Sequence, residues 1–308
     1  MKQIHIGEII KQRRIELNLT QEELCEGICE PPTMSRIEKG RQTPSHSKLK
    51  ALLDRLNLPS EKYYAMMSKN ELEIERLKNE IIDCNTRQLN KEGLLKINEL
   101  VPLLDEDDHV THQFIARSRV LLGKMIGDII TPYSADEKLD ILFNAIKMTI
   151  PNFDVDEIGR HWYSLDEMKI INQIGVVYSE DNRDREALDI YYQLMRYIKK
   201  RLVVNSNNVS TIILVAYNYS RLLCRRKQYI DAFEIAEWGM QHVVEWGRAS
   251  HAGGLLYVLG ESKYRLGDIV SSKDYYIKSY YAFQIMGNPE SAAAIRENIE
   301  EYYSFIPH

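Results

Sequence analysis

Arg36 leads the residues of this 308-residue chain whose type and spacing suit chemistry with a partner. It lies in the run Pro32-Thr-Met-Ser-Arg-Ile-Glu38, where a helical period turns Met34 and Ile37 inward and leaves Thr33, Ser35 and Arg36 outward. A guanidinium presents two parallel donors that match the acceptor edge of a guanine, and small hydroxyls beside it can bond bases or phosphates. Lys39, Arg41 and Gln42 follow in the next loop, where cations and amides suit phosphate oxygens and fix position without reading sequence. Gln21, at the start of an upstream helix, suits another phosphate, and Pro32 opens the helix that carries Arg36.

These side chains need a scaffold of short helices. Helix one is expected over about Ile4 to Asn18, with Ile6, Ile9, Ile10, Ile15 and Leu17 as its buried stripe. Thr20-Gln-Glu-Glu23 is a capping box that starts helix two, which runs to about Gly27. Pro31 and Pro32 break the chain and pre-set the first turn of helix three, which stops near Glu38 at Lys39-Gly40. Helices four (Ser47 to Leu56) and five (Ser60 to Met67) close the core with Leu49, Leu52, Leu53, Leu56 and Leu58. Two short helices joined by a tight turn, the second exposing small polar and basic residues, make the DNA-reading helix-turn-helix unit. The implied partner is double-stranded DNA, and a homodimer is expected, because two small heads read half-sites about one helical turn apart.

The run Arg14-x5-Thr20-Gln-x-x-Leu24, then Met34-Ser-Arg-Ile-Glu-Lys-Gly40 and Pro44, resembles the Cro/C1 or xenobiotic-response-element (XRE) family of helix-turn-helix domains. That resemblance implies a phosphate contact for Gln21, a base contact for Arg36, and a partly buried ion pair between Arg14 and Glu38. Pro31 and Pro32 depart from it, standing where many members place polar base readers. Fewer direct base contacts and more dependence on DNA shape follow.

Bulk properties fit a two-part chain. Net charge is -5, but residues 1 to 68 carry 11 Lys and Arg against 9 Asp and Glu, so the acidic excess lies downstream. No secretory pattern opens the chain and no apolar run approaches the roughly 20 residues that span a bilayer, so no membrane partner is expected and the location is read as cytoplasmic. Four scattered cysteines agree with a reducing compartment. No metalloprotease helix, phosphate-binding glycine loop or dinucleotide pattern occurs. Cys25-x3-Cys29 lacks a second ligand pair and reads as core packing, and His109 with His112 as surface decoration. No cofactor, metal or catalytic residue is assigned, and an enzyme is not expected.

From Ser68 onward the chain reads as long helices with few breakers. Ser68-Lys-Asn-Glu71 is a capping box opening a linker helix with Leu72, Leu77, Ile81 and Ile82, its charged face plain solvation. Gly175, Tyr178 and Ala187 recur as Ser220, Leu223 and Ala232, and as Gly260, Lys263 and Ser272, an offset repeat. Small residues at the first and third positions are what antiparallel tetratricopeptide helices need where they touch. Ser134-Ala-Asp-Glu137, Ser164-Leu-Asp-Glu167 and Asn288-Pro289 mark helix starts. A weaker helix pair is expected at about 109 to 150, and a terminal helix from Pro289 to Phe305.

The fold expected is therefore all-α: a five-helix head over 1–67, a linker helix region over 68–108, and a degenerate tetratricopeptide array over 109–308. Stacked pairs of this kind form a right-handed superhelix whose groove is lined by the first helix of each pair. Asn172, Gln173, Tyr217, Asn218, Arg221, Tyr257, Glu261 and Tyr264 are the expected groove residues. An asparagine side chain complements a peptide unit, so Asn172 and Asn218 could grip an extended peptide; equally, they could merely cap or solvate their helices.

Ile28-Cys29, Ser35-Arg-Ile-Glu38, Asn172-x5-Tyr178 and Tyr217-Asn218, set in this domain order, resemble the PlcR-like and Rgg-type RRNPP grouping of Gram-positive quorum-sensing regulators. The resemblance implies a transcription factor whose asparagines hold the backbone of a short signalling peptide. The rival reading is a DNA-tethered adaptor whose groove docks a folded partner such as an anti-repressor, with a phage-type regulator as a third use of the same parts.

Overall fold

Side-chain caps decide where the helices start. The four capping boxes form in full: Thr20 with Glu23, Ser68 with Glu71, Ser134 with Glu137 and Ser164 with Glu167. The Asn288 side chain accepts from the Ser291 N–H at 3.0 Å. In the computed structural model, residues 5–59 and 68–304 are described. Their order is α1 (Ile6–Glu16), α2 (Gln21–Cys25), α3 (Pro31–Glu38), α4 (His46–Arg55), α5 (Lys69–Arg87), α6 (Asn90–Leu100) and α7 (His109–Leu122). A hairpin of β1 (Lys124–Ile126) and β2 (Ile129–Thr131) follows, then α8 (Ala135–Lys147) and α9 (Leu165–Glu180). The rest is α10 (Asp184–Arg201), α11 (Val209–Arg225), α12 (Tyr229–Trp246), α13 (Ala252–Arg265), α14 (Ile269–Ile285) and α15 (Pro289–Tyr303). The expected helix from Ser60 to Met67 lies outside the described residues, as do Ile4 and Phe305.

The chain divides into two compact units, Met1–Asp181 and Asn182–His308. In the first, Ile10, Leu24, Met34, Ile37, Leu52, Leu53 and Leu56 make the core of the head. That core runs on into Val110 of α7 and the half-buried Trp162. The stripe expected on α1 is only partly right, because Ile15 is 55% exposed. Gly7, Ile10 and Arg14 form the inward face instead, and Ile15 sits about 100° round the helix from Arg14. Gly7 is the reason α1 and α3 lie so close, since a Cβ there would fall 1.9 Å from the Ile37 carbonyl oxygen.

The linker region is a packed hairpin. Leu77 and Ile81 of α5 meet Leu94, Ile97 and Leu100 of α6 over Phe114, Ile115 and Leu122 of α7. Leu72 and Ile82, expected on the same stripe, are exposed. The weaker pair expected at 109 to 150 is α7 and α8, with the unforeseen β-hairpin between them. Its signal was present in the sequence: β-branched residues flank Gly127-Asp128, and Gly127 takes φ 61° in the two-residue turn that pairs Ile126 with Ile129.

In the second unit, helix hairpins stack as the repeat implies. Ser220 and Ala232 are fully buried. Gly260 lets the Tyr276 ring approach, and the Ser272 hydroxyl donates to the Gly260 carbonyl at 2.7 Å. The closest approach is at Gly254 on α13, where a Cβ would lie 2.3 Å from Tyr217 Cε2 on α11. Glycine to alanine inside a helix ordinarily stabilises by about 1 kcal/mol. Here the clash outweighs that gain, and Gly254→Ala is expected to lose about 1–3 kcal/mol, read as a lower urea midpoint of the full chain.

Candidate functional site

Glu38, at the end of α3, organises the head. It is 5% exposed and accepts from Arg14 Nε at 2.6 Å, Arg14 Nη2 at 3.1 Å and Gln21 Nε2 at 2.6 Å. Arg14 also donates to the Leu19 carbonyl at 2.7 Å. One carboxylate thus ties α1, α2 and α3 together, and the Arg14 and Glu38 pair implied by the family resemblance is present. Its hydrogen bond from Arg14, joined by the Coulomb attraction between the two, outweighs the effect of burial and raises the Arg14 pKa above that of an ordinary arginine. Gln21 is fixed by the same carboxylate.

On the outer face of α3, Arg36 is exposed and its Nε donates to the Pro32 carbonyl at 3.3 Å. Pro32, Lys39, Arg41 and Gln42 are exposed, and Thr33 and Ser35 half-buried. Thr33 and Gln42 also border a cleft of about 340 Å³ with Glu71, Asp105, Asp107 and Asp108 along it. Lys48 neutralises part of that acidic wall, pairing with Asp107 at 2.6 Å. All eight residues expected to meet DNA therefore belong to α2, α3 and the loop that follows.

The back of the head is seated on the helices that follow it. Arg55, on α4, is 1% exposed and pairs with Glu167 of α9, also 1% exposed, at 2.7 Å. Its Nη1 donates to the Leu24 and Glu26 carbonyls at 3.0 and 2.8 Å, and its Nη2 reaches the Thr149 carbonyl at 3.4 Å. Glu167 in turn accepts from the Thr149 hydroxyl at 2.6 Å and from the Ser164 N–H at 2.6 Å. Beside this pair, Lys50 lies 3.2 Å from both Asp54 and Asp166, and Asp166 also holds Lys169 at 3.0 Å. Burial opposes each charge, but Lys169 and Lys50 hold the Asp166 carboxyl well below the usual range, while burial keeps Asp54 raised.

Gly27 completes the seat: at φ 65°, a Cβ on it would lie 2.1 Å from the Thr149 backbone. None of these residues stood out in the sequence as functional. The available signal was Arg55 itself, a cation on the apolar stripe of Leu52 and Leu56, because a buried arginine requires a buried acceptor.

Of the expected groove residues, Asn172 and Gln173 lie on α9 in the first unit, 4% and 6% exposed. Gln173 Oε1 has no hydrogen-bond partner among the described residues. The other six belong to the second unit, on the neighbouring helices α11 and α13. Tyr217 and Asn218 are half-buried and Arg221 is exposed. Tyr217 stacks on His251 with centroids 5.3 Å apart, and the Arg221 guanidinium sits 5.8 Å from its ring. The α13 residues are tied into an aromatic cluster with α14 and α15. Tyr264 stacks on Tyr302 at 4.1 Å, and Tyr257 meets Tyr276 edge-on. Glu261, buried, accepts from the Tyr276 hydroxyl and pairs with Arg265 at 2.7 Å. Burial and the nearby Glu261 push the Tyr257 hydroxyl up to about 12, so it stays a neutral donor. Among the described residues no group of three or more His, Cys, Asp and Glu is placed to hold a metal, and no helix is long and apolar enough to cross a membrane.

Comparison with known proteins bears on both parts. Residues 79–303 match the RNPP family C-terminal domain, and residues 10–63 match a helix-turn-helix model. No curated protein matches by sequence. Among solved structures, Bacillus thuringiensis PlcR in complex with the peptide PapR7 and DNA is similar in fold, with TM-score 0.60 and 20% identity over 94% of this chain and 98% of that one. ComR from S. thermophilus, in complex with DNA and its signalling peptide ComS, gives 0.52 and 13% over 96% and 99%. ComR from Streptococcus vestibularis, with its cognate signalling peptide XIP, gives 0.52 and 14% over 96% and 98%.

Removing one partner of a buried ion pair strands the other charge. Arg55→Met is accordingly expected to destabilise the chain by about 3–5 kcal/mol, whereas Arg36→Met on the exposed face stays within about 0.5 kcal/mol, both read from denaturant unfolding.

Proposed function

The chain belongs to the RNPP family, and from that membership we propose a DNA-binding transcriptional regulator whose repeat domain takes a short signalling peptide, the peptide altering how a homodimer meets its operator. The observation that carries this reading is the double duty of α9. Its first turn holds Glu167, which seats the head through Arg55, and its next turns bear Asn172 and Gln173. A helix moves as a rigid rod over such a distance, so a ligand bound at Asn172 acts on the element that fixes the head. The peptides in the PlcR and ComR complexes support the same class of effector.

In this reading the layout is a head over 1–67, a linker region over 68–108 and repeats over 109–308. Arg36 reads a base edge, with Pro32, Thr33 and Ser35 against the groove wall. Lys39, Arg41 and Gln42 hold phosphates, and so does Gln21 through the second N–H of its amide, the first being given to Glu38. Asn172 and Gln173 are the peptide-binding candidates of the first unit, and Tyr217, Asn218, Arg221, Tyr257, Glu261 and Tyr264 those of the second. The protein works where the chromosome is, in the cytoplasm, and catalyses no reaction. The peptide acts only through different affinities for two arrangements of the dimer.

The test begins with the operator, recovered by sequencing DNA fragments bound by the purified protein, and with peptides encoded by small open reading frames beside the gene. Arg36→Ala should weaken specific binding by about 1–3 kcal/mol while leaving non-specific affinity in place; an unchanged ratio of the two removes Arg36 as a base reader.

Asn172→Ala and Asn218→Ala should each weaken the peptide severalfold, measured by calorimetry, with the melting temperature little changed. A fall of several degrees with binding intact would instead make these asparagines structural. Tight peptide binding that leaves operator affinity unaltered defeats the coupling.

A further inference from the structure

Cys25 ends α2, and Cys29 lies one turn on, just before the Glu30 cap of α3. The Cys29 N–H donates to the Cys25 carbonyl at 3.1 Å, the Cys25 thiol donates to the Glu22 carbonyl at 3.9 Å, and the two thiols lie close enough to shift each other's titration. Cys25 is 1% exposed, whereas Cys29 is only half-buried. That backbone bond holds the two Cα atoms within about 7 Å of each other, and a disulfide spans 4.4–6.8 Å.

The surroundings divide the pair into two roles. The neighbouring Cys25 thiol pulls the Cys29 thiol below its ordinary value against the effect of burial, and Lys48 and Arg55 add to it. The positive end of α3 acts in the same direction. The neighbouring Cys29 and its own burial push the Cys25 thiol up, so it stays protonated. Cys84 and Cys224 are buried and shifted upward, Cys224 to about 11.

We propose that Cys25 and Cys29 are a peroxide-sensitive thiol pair in the DNA-reading head, with Cys29 the sulfur attacked by a hydroperoxide and Cys25 the one that closes the disulfide. The Cys29 thiolate takes the terminal peroxide oxygen, the O–O bond breaks, and the departing hydroxide (or alkoxide) picks up a proton to leave as water or alcohol. Cys25 then attacks the sulfenic sulfur of Cys29. The S–S bond forms, the S–O bond breaks, and the Cys25 proton leaves with that oxygen as water. Two electrons pass from the thiols to the peroxide, and an intracellular dithiol reverses the step.

The consequence follows from what the turn between these cysteines carries. Arg55 is bound to the Leu24 and Glu26 carbonyls, and Gly27 is pressed against Thr149 with no space to spare. Drawing the two Cβ atoms to disulfide distance reshapes that turn and loosens the seat of the head.

The test uses the reduced full chain treated with a modest excess of hydrogen peroxide and mapped by mass spectrometry after trypsin. The segment 15–36, which carries both cysteines, should lose about 2 Da and regain it with dithiothreitol, while Cys84 and Cys224 remain open to alkylation. Cys25→Ser should accumulate a dimedone-trapped sulfenic acid at Cys29, and Cys29→Ser should leave Cys25 unreacted. The oxidised wild-type protein should melt several degrees lower and recover on reduction. No bridge in 15–36, a bridge between chains, equal oxidation of Cys84 and Cys224, or unimpeded oxidation of Cys25 in Cys29→Ser overturns the pair. An unchanged melting temperature overturns its link to the seat. No readout involves DNA or peptide, so failure here and failure of the regulator reading are separate results.

Discussion

The arrangement of the first unit depends on one buried ion pair. Arg55 and Glu167 are both withdrawn from water, and their attraction only roughly offsets the cost of burying them. The pair therefore contributes little net stability, but any arrangement that separates the two leaves a bare charge in an apolar setting. The penalty falls on alternatives, so the pair selects a single pose of the head. Its neighbours are recruited to the same end. Glu167 caps α9, Thr149 bridges Arg55 and Glu167, and Arg55 gathers the carbonyls that lead into α3. The Lys50, Asp54, Asp166 and Lys169 group repeats the device in a wetter setting, where Lys50 and Asp166 each have two partners.

Backbone proximity is the second constraint. Gly7 brings α1 onto α3, Gly27 brings the head onto Thr149, and Gly254 brings α13 onto Tyr217. At each of these places the absence of a side chain fixes a distance between elements. Tyr217 shows how such a gap is used: with glycine beneath it and His251 stacked against it, the ring is held between two neighbours.

Local signals were legible in the chain and tertiary ones were not. Capping boxes use residues three apart, so Thr20, Ser68, Ser134 and Ser164 announced their helices without any knowledge of the fold. The small residues at Ser220, Ala232, Gly260 and Ser272 could be read because a repeat displays the same packing problem more than once. Arg14 and Glu38 were legible only through family resemblance. Arg55 with Glu167, 112 positions apart, had no periodic or local counterpart, and Glu167 was fully accounted for as a cap. Ile15 went wrong for a related reason: helical spacing alone does not say which face of α1 a glycine will press onto its neighbour.

The core of the head is finished by residues made much later. Val110, Trp162 and Glu167 complete a set whose other members lie before residue 59. At roughly 5–20 residues per second, the ribosome takes on the order of 5–20 s to supply Glu167 after Arg55. For that interval the nascent head carries an arginine whose buried acceptor does not yet exist. Its final pose must wait, so α3 comes into register only once the helices that follow the head have begun to fold.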